Sequence, residues 1–313
     1  LPFSSGYYSA TKNIGKVRND GLELSLNTVN FQTRAFKWTT NFNISFNKNK
    51  VLALSENQTA LLTAAQFDQN YNGQSSYIAK VGLPMGLMYG YVYEGTYKYD
   101  DFNKSGNSYS LKPGVPHYST ETNTQPGMPS GDGVVDSNDR TIIGRGLPIH
   151  TGGFTNNFEY KGIDLSIFFQ WSYGNDIMNA NRLFFESSNN RSRELNQYAS
   201  YANRWTPENP TSDIPAATNS SSNRVISSRI IEDGSYLRLK NVTVGYTFPA
   251  KLVKKWKIDK ARVYVAAQNL WTCTGYSGYD PEVSVRNSAL TPGLDYSSYP
   301  RAYSISFGVS LGF

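Results

Sequence analysis

Apolar and polar residues alternate strictly at the end of the chain. Tyr303, Ile305, Phe307, Val309, Leu311 and Phe313 are apolar, and Ser304, Ser306, Gly308, Ser310 and Gly312 between them are small or polar. Successive side chains of a strand point to opposite faces. One face of this strand is therefore greasy and the other nearly bare. A transmembrane β-strand sustains such a pattern over about 9–11 residues, whereas an ordinary strand runs about 5–6.

The same period recurs upstream. Leu22, Leu24 and Leu26 alternate with Glu23, Ser25 and Asn27, and Trp38, Thr40, Phe42, Ile44 and Phe46 with Thr39, Asn41, Asn43, Ser45 and Asn47. Phe154, Phe158 and Tyr160 mark a further strand. Ile163, Leu165, Ile167, Phe169 and Trp171 alternate with Asp164, Ser166, Phe168, Gln170 and Ser172. Leu237 and Leu239 continue into Val242, Val244, Tyr246 and Phe248 with a phase slip at Lys240-Asn241, the signature of a β-bulge. Val263, Val265 and Ala267 mark another strand. Counting the less regular Tyr/Gly-rich stretch from Leu87 to Tyr97, the pattern predicts about eight strands. Their polar faces carry Ser, Asn, Thr and Gln, which suits a wet lumen.

Outer-membrane barrels keep periplasmic turns short and external loops long. With the C-terminus on the periplasmic side, connections near 272–301, 174–234 and 98–149 are external and long. Those near 249–260 and 161–162 are shorter, and Lys161-Gly162 signals a tight hairpin. One exception stands. The stretch 51–86 falls where a short turn is expected, and Gln32-Thr33-Arg34 makes a very short external loop. A helical piece is expected over 189–205, followed by a turn-rich insert with Pro207, Pro210 and Pro215.

Composition narrows the picture. The 313 residues are 39% hydrophobic with mean hydropathy −0.49, yet 14% aromatic with 23 Tyr. No apolar run reaches the ~18 residues of a transmembrane helix. Low hydropathy with many Tyr fits a polar-lined barrel with aromatic girdles, and equally a soluble Tyr-rich carbohydrate-binding module. The lone Cys273 excludes an internal disulfide. The net charge of +6 comes from scattered Lys and Arg, so no nucleic-acid partner is expected. The start, Leu1-Pro2-Phe3-Ser4, shows no signal peptide, and a processed chain or a fragment is expected.

Candidate chemistry is sparse. Gly131-Asp132-Gly133 with Asp136 and Asp139 resembles the second half of an EF-hand loop. Met128 and Ser130 fall where the first ligands belong, so Ca²⁺ bound by Asp132, Asp136 and Asp139 stands beside a plain Gly/Asp turn. The two His and the 24 scattered carboxylates form no convergent set, so no enzyme is expected and no cofactor is required. Aromatics in the external stretches are the contact candidates for cargo or a lid: Tyr97, Tyr99, Tyr109, Phe184, Phe185, Trp205, Tyr276, Tyr279 and Tyr299. Mutual packing of the loops is the alternative for each.

Several segments form an ordered set: Asn19-Asp20-Gly21-Leu22-Glu23, Phe36-Lys37-Trp38 with Phe46 to Val51, and Gly82-Leu83-Pro84-Met85-Gly86 leading into Tyr89-Gly90-Tyr91. Further ones are Gly131-Asp132-Gly133 with Asp136 to Gly144, Phe168 to Asp176, Gly234 to Val242, and terminal Phe313. Together they resemble the C-terminal part of SusC/RagA-type TonB-dependent outer-membrane transporters. The resemblance implies an all-β fold, with residues 1–313 forming the C-terminal portion of an antiparallel transmembrane barrel of about 22 strands. It also implies a plug and TonB box outside this chain, location in the bacterial outer membrane, contact with lipid and with the rest of the barrel, and a SusD-like lipoprotein partner. Import of oligosaccharides or peptides is the function it implies. The soluble glycan-binding (lectin-like) module is the alternative.

Overall fold

The computed structural model describes residues 15–55, 58–68, 71, 73–106, 108–112, 117–118, 134–187, 195–217, 225–285 and 288–313. Seven long strands build one antiparallel sheet. They are β1 (Gly15–Gln32), β2 (Phe36–Leu54), β3 (His150–Tyr160), β4 (Ile163–Tyr173), β5 (Tyr236–Thr247), β6 (Lys260–Thr274) and β7 (Ser304–Gly312). Their spatial order follows the chain without a crossover. This is the meander of an up-and-down barrel wall, and it makes the chain a partial β-barrel.

The register carries the alternation across the sheet. Leu165 pairs with Val244, Val244 with Val265 and Val265 with Phe307. Leu26 pairs with Phe42, Phe42 with Phe154 and Phe154 with Phe169. These rows form one continuous apolar face on which Leu22 is 67% and Phe307 81% exposed. An apolar surface of this extent has no place in water. It does match the lipid-facing band of a membrane barrel. Polar atoms inside the band satisfy one another: Trp38 Nε1 donates to Asn156 Oδ1 at 3.0 Å and Thr40 Oγ1 to the same oxygen at 2.6 Å. The expected slip occurs as a register shift between Leu239 and Asn241, which bulges β5 against both neighbours. The Lys161-Gly162 turn closes β3 onto β4 with both residues at positive φ, 46° and 89°. That is the backbone of a two-residue hairpin.

The third expected strand is not part of the wall. Leu87–Gly90 lies in a separate four-stranded sheet ordered 141–145, 87–90, 75–80 and 60–64. Its Met88 is fully buried, so it faces protein on both sides rather than lipid and lumen. Removing it from the wall resolves the exception in loop lengths. Residues 55–149 become one long excursion, and Thr33 to Ala35 a short turn at the opposite end. All three long excursions, 55–149, 174–235 and 275–303, then leave from one end of the sheet. The 33–35, 161–162 and 248–259 connections close the other. Of the helix expected over 189–205, residues 189–194 lie outside the described residues, 195–198 are not helical and Ala199–Asn203 make a 3₁₀ turn; a short helix, α1 (Asn181–Phe185), forms before the expected stretch.

Candidate functional site

The three excursions fold together into a cap over the long-loop end. Each contributes short pieces to one apolar cluster: Tyr71, Tyr77 and Met88 from the first, Met178, Leu183, Phe184, Ile226 and Ile230 from the second, and Leu294 from the third. Backbone pairing ties them further. Asp176–Asn179 pairs antiparallel with Ile231–Asp233 and parallel with Leu294–Asp295. Tyr91 exchanges backbone hydrogen bonds with Ile226 and Ser228 at 3.0 and 2.8 Å. Tyr77 donates from its hydroxyl to Pro292 O at 3.0 Å.

The aromatic candidates divide by depth. Phe184 sits in the core against Tyr71 and Tyr296, with ring centroids 5.5 and 5.1 Å away. Tyr276 is buried and donates to Asp295 Oδ2 at 2.5 Å. Burial, and then the Asp295 carboxylate, push its phenol well above the ordinary range. Phe185 packs on Tyr198 at 5.2 Å, Tyr99 on Trp205 at 5.8 Å, and Tyr97 edge-on to Phe102 at 5.9 Å. Tyr97 also lines a cleft of about 520 Å³ with Tyr91, Tyr93, Glu186 and Arg229. Tyr279 and Tyr299 stand free, 82% and 92% exposed. Tyr109 lies on a strand paired with Phe102–Ser105, and its side chain is outside the described residues.

Asp132 also falls outside the described residues. Asp136 and Asp139 build a reciprocal turn: Asp136 Oδ1 accepts from Asn138 N at 2.7 Å, and Asp139 Oδ2 from Asp136 N at 2.8 Å. Among the described residues, no group of three or more His, Cys, Asp and Glu is placed to hold a metal ion.

Two charged networks escaped the sequence pattern. In the first, Glu186 Oε2 binds Arg182 Nε at 2.9 Å and Arg229 Nη2 at 2.7 Å, while Arg182 Nη1 reaches Glu232 Oε1 at 3.4 Å. In the second, Arg238 of β5 contacts Asp280 at 2.5 Å and Glu282 at 3.1 Å, and Glu282 also takes Lys240 and Arg301, each at 3.0 Å. Arg238 and Lys240 lie on the polar face of β5, so this network ties the third excursion to the inner side of the wall. The one sequence signal for it is the pair of cations on the polar face of an otherwise uncharged strand.

A single-sheet wall, greasy on one face and polar on the other, with a folded cap at one end, defines a segment of a membrane-type β-barrel. Comparison with known proteins agrees. No family model matches the chain. TonB-dependent receptor P3 of Formosa agariphila is 35% identical over 323 residues, covering 100% of this chain and 30% of the relative. TonB-dependent receptor SusC of Bacteroides thetaiotaomicron is 26% identical over 97% of this chain and 27% of its own length. The solved RagAB peptide importer in its closed-closed state superposes over 100% of this chain and 31% of that chain, at TM-score 0.75 and 25% identity. The chain thus matches a C-terminal segment of SusC-like TonB-dependent receptors and spans about a third of the length of the relatives it matches. These relatives are receptors and transporters, not enzymes.

Proposed function

We propose that this chain is part of an outer-membrane nutrient importer driven through TonB, carrying oligosaccharides or peptides. The wall supplies the membrane seal on its apolar face and a polar conduit on the other. The cap meets cargo and a SusD-like surface lipoprotein, while a plug elsewhere in the full protein couples to TonB. No bond of the cargo is made or broken. The observation that carries this reading is the one-sidedness of the molecule: three interlocked excursions at one end, short turns at the other, and a lipid-suited face between. That continuous face also weighs against the soluble glycan-binding module.

The test uses the full-length protein in its own bacterium. It is expected in the detergent-extracted outer-membrane fraction, with a lipoprotein, and its cargo uptake should stop when TonB is deleted. Recovery of the full-length protein as a soluble monomer would overturn the proposal.

A further inference from the structure

A second cavity of the cap, about 550 Å³, opens between the second and third excursions and is lined by Arg182, Glu186, Tyr198, Ser200, Glu232, Ser277, Gly278 and Tyr279. Its size falls within the range of small-molecule sites. Its charges are balanced inside the protein. Both Glu186 oxygens are engaged, Oε2 by Arg182 and Arg229 and Oε1 by Ser200 Oγ at 2.7 Å. Glu232 Oε1 accepts from Asn179 Nδ2 at 3.0 Å and Ser277 Oγ at 2.9 Å, and its Oε2 from Ser277 N at 2.8 Å. An ionic ligand would find no unmatched countercharge here and would lose its hydration for nothing.

What the cavity offers instead is neutral chemistry. Arg182 lines the cavity and donates to the protein through Nε and Nη1, so its Nη2 hydrogens are left over as donors. Ser277 Oγ already accepts from Asn179 Nδ2 at 3.4 Å, so one lone pair on it, the Ser200 hydroxyl oxygen and the second lone pair of Glu186 Oε1 remain as acceptors. Tyr198 backs the cavity, and burial, then the neighbouring Tyr279, Asp295, Glu186 and Glu232, push its phenol up, so it stays a proton donor at neutral pH. Tyr279 stands at the rim with its ring exposed. An exposed ring beside paired donors and acceptors matches a pyranose: C–H groups on one face, adjacent hydroxyls at the edge.

Building on the importer reading, we propose that this cavity is a binding site for a neutral sugar ring of the cargo, stacked on Tyr279 and hydrogen-bonded by Arg182 and Glu186.

The experiment is calorimetric titration of the full-length protein in detergent with neutral malto-, laminari-, xylo- and arabino-oligosaccharides and with end-blocked uncharged peptides of similar length. One oligosaccharide class should bind. Tyr279→Ala should weaken it by roughly 2- to 13-fold, the scale of one lost stacking contact, and Tyr279→Phe should keep most of it. Because Tyr279 is exposed, its replacement leaves the fold intact; Arg182→Lys serves as the second variant and should also weaken binding. Wild-type affinity in both Tyr279→Ala and Arg182→Lys, absence of binding by every oligosaccharide, or binding of the blocked peptides with the same sensitivity to Tyr279→Ala would each overturn the site. Uptake separates the two proposals. TonB-dependent uptake unaffected by Tyr279→Ala would remove the site and leave the importer. Tyr279-dependent binding without TonB-dependent uptake would do the reverse.

Discussion

Replacing Arg238 by Met should release part of the third excursion from the barrel wall. The Arg238 side chain is 3% exposed, and its guanidinium spends its donors on Asp280, Glu282 and Thr272 Oγ1. Met keeps much of the aliphatic bulk and removes the charge. Asp280, itself 5% exposed, is then left without its ion partner. Removing one member of a buried pair costs about 3–5 kcal/mol. Lys240 and Arg301 still neutralise Glu282, so the lower end, about 3 kcal/mol, is the working figure. The rest of the excursion is held independently: Leu294 is fully buried, and Met178 N and Ala180 N donate to Gly293 O and Asp295 O at 2.8 and 2.9 Å. The opening should therefore be local.

Two amides report it directly, since Glu282 N and Arg301 N both donate to Asp280, at 2.9 and 3.1 Å. At 1.36 kcal/mol per decade, about 3 kcal/mol predicts roughly a 100-fold rise in their hydrogen exchange. The amides of Met178 and Ala180 should not change. Acid should mimic the mutation. Burial pushes the Asp280 carboxyl up. Hydrogen bonds from Arg238, Glu282 N and Arg301 N, with the Arg238 charge, outweigh it and hold the group below the ordinary aspartate range. A depressed folded pKa gives stability that is present above the unfolded value and lost as pH falls through the folded one. After correction for intrinsic rates, exchange at Glu282 and Arg301 in the unmutated protein should quicken in that acid window. Unchanged exchange at both amides in Arg238→Met would refute the reasoning.

Three further outcomes are expected. Val309→Lys, on the outward face, should cost about 2–4 kcal/mol in folding into lipid vesicles, while Ser310→Lys on the inner face should cost far less; equal losses would mean the faces are assigned wrongly. The Tyr264 ring lies across Gly308 of the neighbouring strand, so Gly308→Val should reduce the assembled fraction, and adding Tyr264→Ala should recover much of it; no recovery would deny the contact its role. Burial, followed by the nearby Asp233, raises the Asp176 carboxyl despite the hydrogen bond from Arg145 N at 2.8 Å. A raised acid pKa means the folded state holds the proton more tightly, so stability falls as pH climbs from the unfolded to the folded value. Asp176→Asn, which keeps the acceptor, should then gain stability at neutral pH and nothing in acid, as read from denaturant titration.

The parts of this protein legible in its sequence are those where one physical constraint acts on every residue. Lipid on one side and water on the other force a period of two along all seven wall strands. The slip at Lys240-Asn241 could be placed from phase alone because the constraint resumes beyond it. The cap obeys no such rule. Its core is assembled from pieces of two to six residues contributed by three excursions far apart in the chain, too short to show any period. Leu87–Gly90 looked like a wall strand because it is apolar and Tyr/Gly-rich, but its four residues are too few to cross a membrane. The same blindness scattered the aromatic candidates: nothing local separates Phe184 and Tyr276, which hold the cap together, from Tyr279 and Tyr299, which face outward. It also hid Arg182, Glu186 and Glu232, whose partners lie up to 53 residues away. In the wall, sequence order is spatial order, so a strand strays only if the chain carries it elsewhere; in the cap, proximity is decided by which distant segments fit together. A contact surface made in that second way has its specificity in the pairing of excursions, so cargo preference in relatives should follow changes at the joints between excursions more closely than changes in the wall.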